Sequence, residues 1–279
     1  MEQHSRYVGC TAKEAVEQHW RRYHLMIWIC ILVMISIMVF IIYNIYEGKL
    51  FIDGIIWELV LFWLARLVLD IVHGWNANEF LYIFFKDCDP QKMYEAMLLL
   101  EPKESKKANR SDIYFYIAQS CLFYEGKLDE GFAYLQNVNY NKKVFLKEVN
   151  YYGMLANYAY LQKDRAAFDK IKRDFEELPK QIKRHGKAGL TNYKKVGDYF
   201  LLKEYLWDEK DKEARQLLNE LLSEEMFQIN KVSFHMYLAR LDLKEQEYVN
   251  AKIHLGYVVE YGNTMNVVKE AKELLEQID

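Results

Sequence analysis

Proline, glycine and cysteine are scarce in this chain. Three prolines and twelve glycines in 279 residues disfavour sandwiches, barrels and disordered tails, which need such residues for turns and flexibility. The four cysteines, Cys10, Cys30, Cys88 and Cys121, form no CxxC pair. A disulfide framework or zinc knuckle is therefore not expected, and thiols in a reducing compartment are. "VGC" at 8–10 has no apolar stretch before it and so is not a lipobox. There is no excess of positive charge: Lys plus Arg is 37 against 40 for Asp plus Glu, which argues against a nucleic-acid binder. HExxH, the P-loop, GxGxxG and GxSxG are all missing. His19 and His24 are five residues apart and share no helix face; His235 and His254 fall in two helices of one hairpin without a ligand beside them. We therefore expect no enzyme activity, no catalytic residues, no bound metal and no cofactor.

What the chain does have is apolar surface. Residues 25–46, "LMIWICILVMISIMVFIIYNIY", run 22 residues without a charge. As a helix this covers about 33 Å, enough for a hydrocarbon core of about 30 Å. "RRYH" (21–24) precedes it and Tyr43 and Tyr46 close it, as interface anchors do. Residues 55–75, "IIWELVLFWLARLVLDIVHGW", are as apolar but carry Glu58, Arg66 and Asp70. Arg or Asp at a membrane centre costs about 2.5–3.5 kcal/mol, and each large aliphatic returns about 0.3–0.6 kcal/mol. Glu58 and Asp70 lie near the ends, Arg66 can snorkel, and Arg66 can pair with Asp70 four residues on. The stretch is expected to be a second span at about 53–73, joined to the first through a turn marked by Gly48 and Gly54. Any ion path using its charges would need a homo-oligomer, since two helices enclose none. Arg6, Lys13, Arg21 and Arg22 precede the first span, whereas the link holds only Lys49 against Glu47 and Asp53. The positive-inside rule then puts residues 1–24 in the cytoplasm, and the return span brings the rest back there.

Beyond the spans, apolar residues recur at three- and four-residue steps, broken by short polar turns such as "EGKLD" (125–129), "QKDR" (162–165), "DEKDKE" (208–213) and "KEQEY" (244–248). About eleven helices are expected. Asp89 before Pro90, Ser111 and Thr264 look like N-caps, and Gly262 like a stop. "YFYIAQSCLFYEGKLDEGFAYLQNV" (114–138) and "YLARLDLKEQEYVNAKIHLGYVVEYG" (237–262) share a pattern: apolar helix, tight turn, then a helix opening acidic–small. The small residues would be Gly131, Ala167, Ala214 and Ala251, followed four residues on by Leu135, Ile171, Leu218 and Leu255. Pro179 would close the second unit. This resembles the tetratricopeptide repeat (TPR). Spacings of 36, 47 and 37 instead of about 34, and Gln119 where glycine is usual, depart from it.

The chain is thus expected to be all-α: an N-terminal transmembrane helical hairpin (25–75), irregular lead-in helices with a basic loop (76–110) and, as the resemblance implies, a TPR-like α-α superhelical solenoid (111–279) ending in a capping helix. The basic stretches "KESKKANR" (103–110) and "KQIKRHGK" (180–187) are each open to two readings, a solvated loop or a contact with anionic lipid; the solvated loop is preferred for the second, and lipid contact is the minority reading for the first, which lies nearer the membrane. TPR-like arrays hold partner peptides on the inner face of their first helices, which here would carry Tyr116, Ser120, Phe123, Asn157, Tyr160, Tyr199, Lys203, Met236 and Arg240. Lys203 and Arg240 would receive a carboxylate. The expected protein is a bacterial-style scaffold in the cell membrane, touching lipid through 25–73 and holding a protein or peptide partner at the cytoplasmic face. The alternative is an accessory subunit of a transporter or enzyme complex, contacted through the spans.

Overall fold

The computed structural model describes residues 4–48, 52–103, 107–139 and 144–278, with side chains except at 52–58, 69–76 and 107–108. The chain divides into two compact units, Met1–Tyr82 and Ile83–Asp279. The described residues are helical throughout, with no strand.

In the first unit, α1 (Ala12–Tyr46) begins thirteen residues before the apolar run. A capping box starts it there: Thr11 Oγ1 accepts from the Glu14 amide at 3.3 Å, and the Glu14 carboxylate accepts from the Thr11 amide at 2.8 Å. The first turns bury Ala12, Ala15 and Val16, and Tyr7 stands edge-on to Phe80 at 5.6 Å. Trp20, Tyr23 and His24 form a ring cluster just before the apolar run. Inside that run, Ser36 donates to the Leu32 carbonyl at 2.9 Å and Asn44 to the Phe40 carbonyl at 2.8 Å. Both side chains thus donate to carbonyls one turn back in their own helix. Among the described residues, α1 is the one helix long and apolar enough to cross a membrane.

The second expected span lies in α2 (Ile52–Phe85), which runs unbroken past residue 76, where separate lead-in helices were expected. Gly48 does turn left-handed (φ 65), but Gly54 is helical, so the link is shorter than the sequence suggests. The side chains of Glu58 and Asp70, and with them the expected Arg66–Asp70 pair, lie outside the described residues. Among the described side chains of α2, Leu59–Val68 form an apolar stretch.

The second unit follows with α3 (Pro90–Leu100), a 3-10 turn (Glu101–Lys103), α4 (Lys107–Cys121), α5 (Leu128–Gln136), α6 (Phe145–Leu161), α7 (Arg165–Gln181), α8 (Lys187–Trp207), α9 (Asp211–Ser223), α10 (Gln228–Lys244), α11 (Tyr248–Tyr261) and α12 (Asn266–Ile278). Ten α-helices thus stand among the described residues where about eleven were expected. Residues 104–106 of the first basic stretch lie outside the described residues.

Four hairpins share one turn. Gly126, Lys163, Glu209 and Gln246 all take positive φ (72, 57, 55 and 62), each two residues before α5, α7, α9 or α11. In the last three, the residue after the left-handed one bonds back five residues: Asp164 N to Ala159 O, Lys210 N to Tyr205 O and Glu247 N to Asp242 O, at 2.8–2.9 Å. This satisfies carbonyls that the ending helix leaves open. Aligned on these turns, the second unit carries Phe168, not Ala167, opposite Gly131, Ala214 and Ala251. Phe168 is fully buried, and its ring meets Phe200 and Trp207 at 5.4 Å, so an aromatic stands where the other hairpins carry a small residue. Gly131 shows the tighter case. A Cβ there would lie 2.1 Å from the Tyr158 hydroxyl and 2.3 Å from Cys121 Cβ.

Three apolar clusters tie neighbouring hairpins together. Phe115, Ala118 and Leu122 of α4 meet Leu135, Met154 and Tyr158. Phe145, Val149 and Ala156 of α6 meet Phe168, Phe175 and Phe200. Leu202 of α8 meets Ala214, Leu218, Phe234 and Leu238. The last hairpin also touches the first. Asn263 donates to the Asp87 carbonyl at 2.9 Å, Thr264 Oγ1 binds Asp89 Oδ1 at 2.8 Å, and the Asn266 amide donates to the Phe123 carbonyl at 2.8 Å.

Two expected caps therefore serve elsewhere. Asp89 does cap α3, accepting from the Lys92 amide at 3.0 Å. Thr264 is engaged by Asp89, and Ser111 sits inside α4, exchanging bonds with the Asn139 backbone at 2.7 and 3.1 Å. Gly262 ends α11 with negative φ; its glycine is set by Val268 Cγ2, 2.4 Å from where a Cβ would be.

Candidate functional site

The first helices of the hairpins, α4, α6, α8 and α10, and the turn after α4 carry all nine residues expected on the inner face. Their burial divides them. Ser120 is 0 % and Met236 1 % exposed, so neither presents surface to a partner. Ser120 donates to the Tyr116 carbonyl at 2.9 Å, a bond within its own helix. Tyr116 is half-buried, and burial pushes its phenol up to about 12. Phe123 is covered by Phe84 at the end of α2, edge to face at 5.7 Å. Tyr199 leans into the α8–α10 core, edge-on to Phe234 at 5.7 Å, with Asn230 3.5 Å from its hydroxyl. Asn157 is half-buried on α6.

The remaining three converge. Tyr160 from α6, Lys203 from α8 and Arg240 from α10 meet with Tyr237, a residue the sequence did not single out. Lys203 Nζ stands 5.0 Å from the centre of the Tyr160 ring, and Tyr160 packs edge-on to Trp207 at 5.1 Å. Lys203 is only 7 % exposed. Burial draws its ammonium down to about 8, since a charge leaves water at a cost. Burial likewise raises both tyrosines, and the nearby Arg240 charge works against that rise. Arg240 is already engaged: its guanidinium makes two bonds to Glu270 of α12, at 2.9 and 2.6 Å. Of the two cations expected to receive a carboxylate, one is held by the chain's own carboxylate and the other lies against an aromatic face.

A second polar group joins α9, α10 and α11. His235 Nδ1 and His254 Nδ1 are 2.8 Å apart, and His254 Nε2 lies 3.7 Å from Asp242 Oδ2. Asp242 is fully buried and accepts from Arg215, which also reaches Glu245 at 2.7 Å. The His235 ring stacks on Tyr257 at 3.9 Å, and Gln228 donates to the Tyr257 hydroxyl at 2.9 Å. The sequence places the histidines in one hairpin but gives them no acidic neighbour; Asp242 lies two turns beyond His235 on α10. Burial lowers His235 to about 4 and lowers His254 as well. Among the described residues, no group of three His, Cys, Asp or Glu side chains is arranged to hold a metal ion. Cys121 is buried and its thiol is pushed up to about 12, chiefly by desolvation, which keeps it protonated and unreactive.

No protein-family model, no curated protein and no solved structure matches this chain.

Proposed function

We propose that the chain is a membrane-anchored, non-enzymatic scaffold in which a TPR-like array of helical hairpins holds a protein partner at the cytoplasmic face of the membrane. The observation that carries this reading is the repeated turn. Four hairpins place a left-handed residue two positions before their second helix, at spacings of 37, 46 and 37 residues. A unit that recurs in this way stacks its first helices side by side, each packed on its neighbours. The anchor is α1, helped by α2 as the return arm of a hairpin. Supporting that arrangement, His19 of α1 lies 4.7 Å from Phe80 of α2, while Leu61, earlier in α2, shares a cleft with Ile29 to Phe40, later in α1.

The surface offered to the partner centres on Arg240 with the half-buried Tyr160 and Tyr237, over the buried Lys203, with Asn157 beside it. Tyrosine and arginine supply large contact area with a polar handle, which is why they recur at interface centres. The test is proximity labelling from the full-length protein in its native host, repeated with Tyr199→Ala and Arg240→Ala. We expect a defined partner set that at least one substitution depletes several-fold. Identical capture by both variants would remove this face from the interface and favour the reading as an accessory subunit contacted through its spans.

A further inference from the structure

The start of α8 lies against the start of α6. Gly189 lets them approach: a Cβ there would stand 2.9 Å from Phe145 Cδ1 and 3.8 Å from the Leu146 amide nitrogen. The His185 ring lies 4.6 Å from the Phe145 ring, and Asn192 donates to the Asn150 side chain. The chain neighbours of this contact face water. Val144 is 46 %, Leu146 37 % and Leu190 49 % exposed. One exposed aliphatic is ordinary, but three around a single contact form a patch. The loop that enters α8 adds charge of one sign. Lys183, Arg184 and Lys187 are exposed, and residues 179–197 contain no acid. Lys180, at the end of α7, is already taken up by Glu177 at 2.7 Å. Aliphatics rimmed by cations suit the boundary of an anionic bilayer, where the apolar groups enter the headgroup layer and the cations meet lipid phosphates.

We propose that this edge of the array, Val144, Leu146 and Leu190 with Lys183, Arg184 and Lys187 around them, rests on the anionic headgroups of a membrane. The sequence of "KQIKRHGK" favours a solvated loop; the fold changes that reading by bringing the aliphatics of α6 beside it. The occupant follows from charge and from tethering. An acid-free basic rim is complementary to anionic lipid, and a chain held by α1 meets lipid at high effective concentration, so even a weak contact is populated. The proposal rests on the reading of α1 as an anchor and adds a second contact with the same membrane.

The test uses the full-length chain in nanodiscs of phosphatidylcholine alone, or of phosphatidylcholine and phosphatidylglycerol in equal parts. A water-soluble amine-acylating reagent is added, and the labelling rate of each lysine is read by mass spectrometry. We expect Lys183 and Lys187 to react several-fold more slowly in the anionic discs, and Lys212, exposed on α9, to react equally in both. Leu190→Asp is expected to restore most of the lost rate. So is Lys183→Glu combined with Arg184→Glu, read at Lys187. All three positions are exposed, and circular dichroism checks that the variants fold. Equal rates in the two lipids, a slowing that Lys212 shares, or a slowing that survives both variants overturns the proposal. The same slowing by inorganic phosphate added to phosphatidylcholine discs would mark a free-anion site and overturn it too. Slowing by soluble poly-glutamate without any effect of lipid would do so in favour of an acidic protein partner. A chain that does not enter discs loses the anchor and not this surface. The same labelling, run with preformed vesicles of the two compositions, then decides by the same criteria.

Discussion

His235 and His254 face each other through Nδ1 atoms 2.8 Å apart, and that geometry needs a lone pair on at least one ring. A first added proton can settle on His254, near Asp242; a second, on His235, leaves two cations in contact beside Arg215, with Lys231 also acting on His235. His235 titrates at about 4 in the folded chain, against about 6.5 when unfolded. The folded state therefore binds fewer protons over that interval. Its stability is full above pH 6.5, declines as pH falls towards 4, and levels off below. The loss is at most about 1 kcal/mol per pH unit once partial solvent access is allowed for. We expect His235→Gln to flatten this part of the denaturation profile; an unchanged slope between pH 6.5 and 4 would assign the effect elsewhere. The sequence supplied the two histidines but not Asp242, because a carboxylate two turns away becomes a neighbour only once α11 packs on α10. The inner face was legible to a similar degree. Tyr160, Lys203 and Arg240 came from helical spacing. Tyr237 and Glu270 did not, since one adjoins an expected core position and the other belongs to α12. Ser120 and Met236 were placed on the open face because α4 and α10 bury residues on more than one side, and a helix without a single apolar stripe does not reveal which side is core.

Helix hairpins were legible from polar turns and apolar periodicity, down to the order of elements. Their exact register was not. The marker that aligns them is backbone conformation, and only one of the four left-handed residues, Gly126, is a glycine. Lys163, Glu209 and Gln246 hold the same conformation with side chains that disfavour it. Lys163→Gly is the cleanest probe, since Glu209 also lies 3.9 Å from Lys244. A left-handed L-residue costs about 1–2 kcal/mol, and the added freedom of glycine in the unfolded chain offsets about 0.4–1 kcal/mol of the relief. We expect a net gain of roughly 0.5–1 kcal/mol and a rise of a few degrees in the melting temperature. A fall in melting temperature would show that the lysine side chain contributes more than its backbone strain costs. Caps follow the same division between local and distant information. Asp89 was readable because its partner, the Lys92 amide, is three residues away. Ser111 and Thr264 were misread because they bind groups 28 and 175 residues distant, which no local pattern records.

At the scale of the whole molecule, the proposed topology turns on whether α2 returns the chain across the membrane. The apolar run within α1 was legible, because a charge-free run of 22 residues needs no tertiary context, but the start of the helix at the Thr11 cap was not. The charges of α2 leave its crossing to be decided by the sidedness of the helical array. A thiol probe at Cys121 would fail for a structural reason: the residue is 1 % exposed and its thiol is held protonated, so lack of labelling would report burial and not location. Glu125, four residues on in the turn before α5, is 64 % exposed and its ion pair with Lys269 lies at the surface, where such pairs contribute little. Glu125→Cys therefore gives an accessible thiol without disturbing the fold. With Arg6, Lys13, Arg21 and Arg22 before the first span, the positive-inside rule predicts a cytoplasmic N-terminus, and the two crossings proposed would return the introduced thiol to that side. A membrane-impermeant maleimide should then label the variant only after the cells are permeabilised. Labelling of intact cells would mean a single crossing by α1, and the partner of the helical array would have to be sought outside the membrane.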